Sequence, residues 1–495
     1  MNKKTVTILL SIGLGILFLS KPVHLDEANF LALLKGDFWS PHNIRINWQG
    51  KEESAFGVLS NPPGIAWWLW PVKDQSIAIL RLWMLPWTAL CAWGAWNLGV
   101  FFVNRGAACC LLVISSPLFF LSNGSLMPDM PLMGCIIGGF GGLVSTDRRS
   151  WFWALLIGSG FCFRYSGITM VPLLFLWGFL RKDWKEALWL SSWALLPVIF
   201  LGVHDMVVYE RWHFIAMFEF QSVDRTWWDL LRKLSSSLAM LAGGCCLPFL
   251  CRNKQSFIGA VIGVILGAVM IALSGFTGLV AVWSIFWIAA GTAIVANGLR
   301  KVSDDTLFLT IWLVGGLFFL VLLRFVATRY WAPFFIPAIL LCIEQAGVWQ
   351  IRLGVFVTFL IGFGLALDDF ELAKAQHDLA LVVGDKQPGV FAGHWGWQYY
   401  MESQGWKPIE DDEVIPNGVY FASSARSWPQ EPSLSCLADK KVYSAADKWW
   451  GPRVHTIQGR ANFHSYMISG FGETYVPWGW GSDPHDTVTL WTSCP

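Results

Sequence analysis

The sequence predicts a mainly α-helical, multi-pass membrane protein that ends in a smaller polar domain of mixed α/β type. Three observations carry this. The chain of 495 residues is 55% hydrophobic and only 14% charged, with mean hydropathy +0.49, whereas soluble domains carry nearer a quarter of charged residues. About thirteen apolar runs are long enough, or nearly so, to cross a bilayer. Beyond Leu367 the composition turns polar and rich in turn residues. The 32 Trp and 36 Phe suit many helix ends at lipid–water interfaces. A formal net charge of +1 gives no sign of a nucleic-acid partner.

In chain order the apolar runs are Thr5–Ser20, Ser76–Val103, Ala107–Leu121, Met130–Val144, Trp151–Phe163, Tyr165–Leu180 and Ala187–Val203. They continue as Leu234–Leu250, Phe257–Leu273, Leu279–Val295, Leu307–Leu323, Ala332–Val348 and Leu353–Leu367. Trp151–Phe163 is short for a span, so it and its neighbour also fit a re-entrant pair. Lys3 and Lys4 before the first run could open a secretory signal, but Ser20-Lys21-Pro22-Val23-His24 supplies no small-residue cleavage site, so the run reads as a retained anchor.

Basic residues set the orientation. With Lys3 and Lys4 in the cytoplasm, alternate short loops carry Arg105, then Arg148 and Arg149, then Arg181, Lys182 and Lys185. Arg252 with Lys254, Arg300 with Lys301, and Arg352 complete the series, as the positive-inside rule requires. The opposite loops are longer and hold all nine His residues. The expectation is a cytoplasmic N-terminus in an inner (cytoplasmic) membrane, a first outer loop over 21–75, a membrane domain over 1–367 and an extracytoplasmic α/β domain over 368–495.

Within that last domain, Gly389–Gly393, Gly418–Ala422, Lys441–Tyr443 and Thr487–Trp491 alternate like strands, and Trp395–Ser403 reads as a short helix before Gly405. Nine of the 11 cysteines lie in or beside apolar runs as small hydrophobes. Cys436 and Cys494 are left as a pair compatible with one disulfide in an oxidising compartment.

The residues suited to chemistry gather at the outer ends of the runs. Asp26-Glu27 follows the first run at the membrane surface. A carboxylate there can take a proton from an acceptor hydroxyl, although two solvated acids at a helix end is the simpler account. Asp129, between Pro128 and Pro131, is either a turn residue or a functional acid held by a stiff loop. Asn61-Pro62-Pro63-Gly64 reads as a rigid elbow that returns the loop to the membrane. Guanidinium forks suit phosphate. Arg329 fits that role and head-group contact equally, Arg324 reads more simply as snorkelling, Arg164 sits at a similar depth, and Arg81 is a weaker candidate. His24 and His42 with Asp26 match no tight ligand spacing, which argues against a metal without excluding a divalent ion.

Four places together resemble the C-type membrane glycosyltransferases, in particular relatives of protein O-mannosyltransferases and of the lipid A aminoarabinose transferase. They are Asp26-Glu27 after the first span, Pro62-Pro63 before the second, Pro128-Asp129-Met130-Pro131 after the third, and Arg329-Tyr330 ahead of Pro333 and Pro337. The resemblance implies a polyprenyl-phosphate-linked sugar as donor, a lipid, glycan or protein hydroxyl as acceptor, and no certain cofactor. It implies Asp26 as catalytic base, Glu27 and Asp129 shaping the acceptor site, and Arg329 on the lipid phosphate, with Arg164, Arg324 and Asn61 as further donor-side candidates. Two places depart from the pattern: Asn61 stands where relatives often carry Lys or His, and Phe163-Arg164-Tyr165-Ser166-Gly167 replaces a Thr-Lys-Gly junction. The competing class is a transporter or flippase, which expects ionisable groups and broken helices near the midplane in symmetric halves. No such symmetry is visible.

Overall fold

The structure is a computed structural model that describes residues 2–493, apart from 49, 146–148, 222–225, 248–249, 251–252, 300–302, 387, 434–436, 446–449 and 469–471. Arg148, Arg252, Arg300, Lys301, Cys436 and Cys494 therefore lie outside the described residues.

Among the described residues, six helices are long and apolar enough to span a membrane: Ile77–Val103, Trp184–Tyr209, Lys254–Ser274, Gly278–Gly298, Asp304–Leu322 and Val348–Gly384. A seventh span is the pair Gly106–Ser115 and Pro117–Asn123, bent by 63° where Pro117 starts a new helix. Other apolar runs form the shorter helices Asp129–Leu143, Ser150–Cys162, Tyr165–Leu180 and Ile336–Gln345, and the run from Leu234 lies in the 19-residue helix Trp227–Cys245. Six or seven helices thus pass on length and composition together, among the described residues. Pro117 and the 3-10 segments Gly160–Cys162 and Tyr165–Thr169 interrupt the regular helix within these runs.

Packing within the bundle uses small residues to bring backbones together. Gly94 on Ile77–Val103 meets the turn Gly134–Gly138, where a Cβ would come within 2.2 Å of the Ile137 carbonyl oxygen. Close approach of this kind gives helices contact area that the hydrophobic effect cannot supply in lipid. Outward-facing Ile262, Ile265, Val207, Phe318 and Phe356 stay exposed, as a lipid-facing surface should.

The segment from Lys21 to Gln75 folds over one end of the bundle as Glu27–Leu33, a two-stranded hairpin of Arg45–Asn47 with Glu52–Ser54, and the short helices Ala55–Val58 and Gly64–Leu69. Phe30, Leu33, Ile65, Ala66 and Leu69 bury a small core against Leu80, Leu126 and Met127.

The C-terminal region packs over the same end. Its five-stranded sheet runs in the order Lys407–Pro408, Val390–Ala392, Tyr420–Ser424, Thr487–Ser493, Leu437–Ser444. The first three strands are parallel neighbours and Thr487–Ser493 is antiparallel to both of its own. The helix Trp395–Ser403 connects the parallel strands. The last span does not stop at 367: Val348–Gly384 is one helix of 37 residues that runs from the bundle into the polar region. At its midpoint Asp368 accepts from the Val454 backbone N–H at 2.7 Å and faces His485 Nε2 at 2.8 Å. The Trp478 indole donates to the Gly243 carbonyl at 3.1 Å. Buried polar groups on the rod and the bundle thereby take up the C-terminal region's own donors.

Candidate functional site

Between the folded first loop, the end of the bundle and the C-terminal region lies a cavity of about 860 Å³. Asp26, Asn61, Arg324 and Arg329 all line it. It falls in the size range of ligand sites.

The chain reaches this cavity through a reversal at Leu25, whose φ of 49° is unusual for a branched residue. The turn separates three neighbouring side chains. His24 goes to the long helix, Asp26 to the cavity, and Glu27 into the protein. Asp26 precedes the helix Glu27–Leu33 without capping it through its side chain. Its carboxylate instead accepts from Arg329 Nη2 at 2.5 Å, with both side chains partly exposed. Arg329 comes from the 3-10 turn Thr328–Trp331, which Trp331 anchors by donating to the Ser237 carbonyl at 2.9 Å.

Glu27 is fully buried. Its carboxylate accepts from Arg81 Nη2 at 3.0 and 3.3 Å, from the Leu126 backbone N–H at 2.7 Å and from the His24 N–H at 2.9 Å. Those contacts tie the first loop to the long helix Ile77–Val103 and to the segment before Asp129. Arg81, the weakest cation on sequence grounds, also donates to the backbone carbonyls of Lys21 and Pro22.

Asp129 is buried at the start of Asp129–Met133 and pairs with Arg164. The Arg164 guanidinium lies 4.4 Å over the Tyr330 ring, and Arg329 contacts Met127 Sδ at 3.5 Å. Asp129, Arg329 and Glu27 border a second, small cavity that adjoins the first through Arg329 and His24. The structure thus brings Asp26 and Arg329 together, and Asp129 and Arg164 together, around Tyr330. Arg324 stands exposed on the rim, and Asn61 contributes a backbone carbonyl facing His42 Nε2 at 3.1 Å.

His24 and His42 do not converge on Asp26. His42 packs on His213 with rings 4.8 Å apart, and burial lowers its pKa to about 4. A different group does converge: His24 Nε2 at 3.2 Å and His464 Nε2 at 2.9 Å both face Asp369 Oδ1, while Lys21 pairs with the other oxygen. The three ligand atoms lie within 4.8 Å of one another, close enough to hold a divalent ion. The Lys21 ammonium already balances Asp369, so the cluster is also complete as a clamp among the first loop, the long helix and the C-terminal region. Burial pulls the His24 pKa down against the pull of Asp369. The sequence carried one signal for Asp369: an acidic pair at the end of an apolar run, read there only as a boundary.

The C-terminal wall was not anticipated. A tight turn from Val390–Ala392 into Trp395–Ser403 requires Gly393, whose φ is 121° and whose added Cβ would meet Ser427 Oγ at 2.2 Å. It delivers His394 and Trp395 to the cavity. Burial lowers His394 to about 4.

No family model matches the chain, and no curated protein sequence matches it. Among solved structures, the chain is similar to the crystal structure of ArnT from Cupriavidus metallidurans in the apo state, at 14% identity and TM-score 0.42, over 85% of this chain and 92% of that one. The same protein bound to undecaprenyl phosphate gives 14% identity, TM-score 0.43 and the same coverage. The arabinofuranosyltransferase AftD from Mycobacteria, solved by cryo-EM, is similar at 12% identity and TM-score 0.34, with all of this chain spanning 40% of that one.

Proposed function

We propose that the chain transfers a sugar from a polyprenyl-phosphate-linked donor to an acceptor hydroxyl at the extracytoplasmic face of an inner membrane. In this reading the N-terminus is cytoplasmic and residues 368–495 face outward. The observation that carries it is the Asp26–Arg329 pair, held at 2.5 Å in the wall of a large cavity at one end of the bundle. The motif order Asp26-Glu27, Pro62-Pro63, Asp129 and Arg329-Tyr330 supplies the donor class. The ionisable pairs around this cavity join loops and helix ends, and midplane pairs arranged in symmetric halves, which a transporter needs, are not what the cavity is built from.

The chemistry follows from the pairing. Asp26 accepts the proton of an acceptor hydroxyl as its oxygen attacks the anomeric carbon. The bond from that carbon to the phosphate oxygen breaks with inversion, and the phosphate leaves with the polyprenyl chain. Arg329 balances the charge that builds on the phosphate, with Arg164, Arg324 and Asn61 around the donor. While Arg329 holds Asp26, the carboxylate is occupied. A donor phosphate competes for the guanidinium and leaves Asp26 open to the acceptor, so donor binds first. Glu27 and Asp129 shape the acceptor side by fixing the loop and the segment after Met127.

The test is Asp26→Asn in purified protein supplied with donor lipid from its own membranes. Transfer is lost while donor binding persists. Normal turnover by the variant would sink the assignment.

A further inference from the structure

The reading above leaves the acceptor open among lipid, glycan and protein hydroxyls. Three independent features of the wall that the first loop and the C-terminal region give this cavity bear on that choice.

The first is aromatic. Trp48 from the first loop, and Trp395 and Trp428 from the C-terminal region, line the cavity. Flat indole faces present apolar area with a π surface, which suits the C–H face of a sugar ring. The second is polar. Asp412 and Glu431 line the same wall and supply carboxylate acceptors, while Gln376 Oε1, Gln430 Nε2 and Arg426 Nη1, on lining residues, are buried without a hydrogen-bond partner. Buried polar groups are rarely left so, and a ligand dense in hydroxyls satisfies donors and acceptors alike.

The third is backbone strain. Of the ten non-glycine residues with positive φ among the described residues, four line this one cavity: Leu25, Trp395, Asp412 and Trp428. Left-handed backbone is costly for tryptophan and concentrates where a surface is shaped for a ligand. Trp395 and Trp428, at φ 64° and 53°, hold two of the three aromatic faces in this way.

Resting on the glycosyl-transfer reading, we infer that the wall formed by Trp48, Trp395, Trp428, Asp412 and Glu431 is an acceptor subsite for carbohydrate, so that the hydroxyl presented to Asp26 belongs to a sugar. The sugar can come from a glycolipid head group or from a soluble polysaccharide, and the two are distinguishable by fractionation.

The experiment uses membranes of a strain lacking the gene, which hold unmodified acceptor, mixed with the purified full-length protein and labelled donor lipid extracted from the same cells. Label is followed into chloroform-extracted glycolipid, aqueous polysaccharide and protein, and the linkage is read by mass spectrometry. Label on a sugar residue, in either of the first two fractions, is the expected result. Label on a Ser or Thr side chain, or on a lipid lacking sugar, overturns the carbohydrate subsite and leaves glycosyl transfer standing. No label in any fraction with the wild type removes both.

Within the same assay, Trp395→Ala raises the acceptor concentration for half-maximal rate about tenfold with donor binding unchanged, and Trp395→Phe restores most of it. Equal loss of donor binding in Trp395→Ala would place this wall on the donor side and refute the inference.

Discussion

Glu27→Gln separates the two halves of the adjacent acids, because the structure gives them opposite surroundings. The Glu27 carboxylate takes four contacts from three donors: Arg81 twice, and the backbone N–H groups of His24 and Leu126. An amide in its place keeps one acceptor oxygen and points an NH₂ group at donors. Removing one partner of a buried ion pair costs about 3–5 kcal/mol, since Arg81 is left charged and uncompensated. At 1.4 kcal/mol per tenfold, local opening of the first loop rises at least about a hundredfold. Amide hydrogen exchange by mass spectrometry reads this directly, in peptides covering residues 22–34 and 124–128. Exchange there accelerates by that factor, and peptides of Lys254–Ser274 stay unchanged. Adding Arg81→Met recovers part of the protection, because it removes the uncompensated charge while giving up the Arg81 donors to the Lys21 and Pro22 carbonyls. The reasoning is refuted if Glu27→Gln leaves exchange within about threefold of wild type yet abolishes transfer, for then the carboxylate acts on substrate.

Other consequences are equally direct. Asp26→Asn lowers transfer by about a hundred- to ten-thousandfold, the usual worth of a general base, with loop exchange unaltered; a smaller loss in single-turnover kinetics counts against its role. Asp129→Ala leaves the Arg164 guanidinium without its carboxylate, so thermal unfolding followed by tryptophan fluorescence moves to lower temperature, and unchanged unfolding would mean that the pair contributes nothing. For acid sensitivity, burial holds His394 near 4 against about 6.5 in the unfolded chain. The unfolded state then binds the extra proton between those values, so the C-terminal region's stability is full above about pH 6.5 and falls as pH drops. His394 alone removes about 2 kcal/mol by pH 5, and protection in the 390–403 peptides that is the same at pH 5 and 7.5, once each rate is divided by its intrinsic exchange rate at that pH, would contradict this.

How far the sequence could be read depended on whether a feature was local. The strand–helix alternation after Pro388 follows from turn residues and period-two patterning, and Trp395–Ser403 forms where Gly405 ends it. Apolar runs do not report where a helix bends: at Pro117 a 63° bend divides one run into two helices. The site divided along the same line. Asp26, Asp129 and Arg329 were visible because charge in apolar sequence is conspicuous, but their partners were not, since Asp26 and Arg329 are 303 residues apart. Arg81 illustrates the limit best. In sequence it is a lone cation near a helix end, indistinguishable from one that snorkels; in three dimensions it lies 3.0 Å from Glu27, and that contact gives the two acids different surroundings. Adjacent carboxylates at a membrane surface suggest a shared role. A left-handed residue, Leu25, stands just before them; one side chain is then buried against Arg81, and the other lines the cavity paired with Arg329.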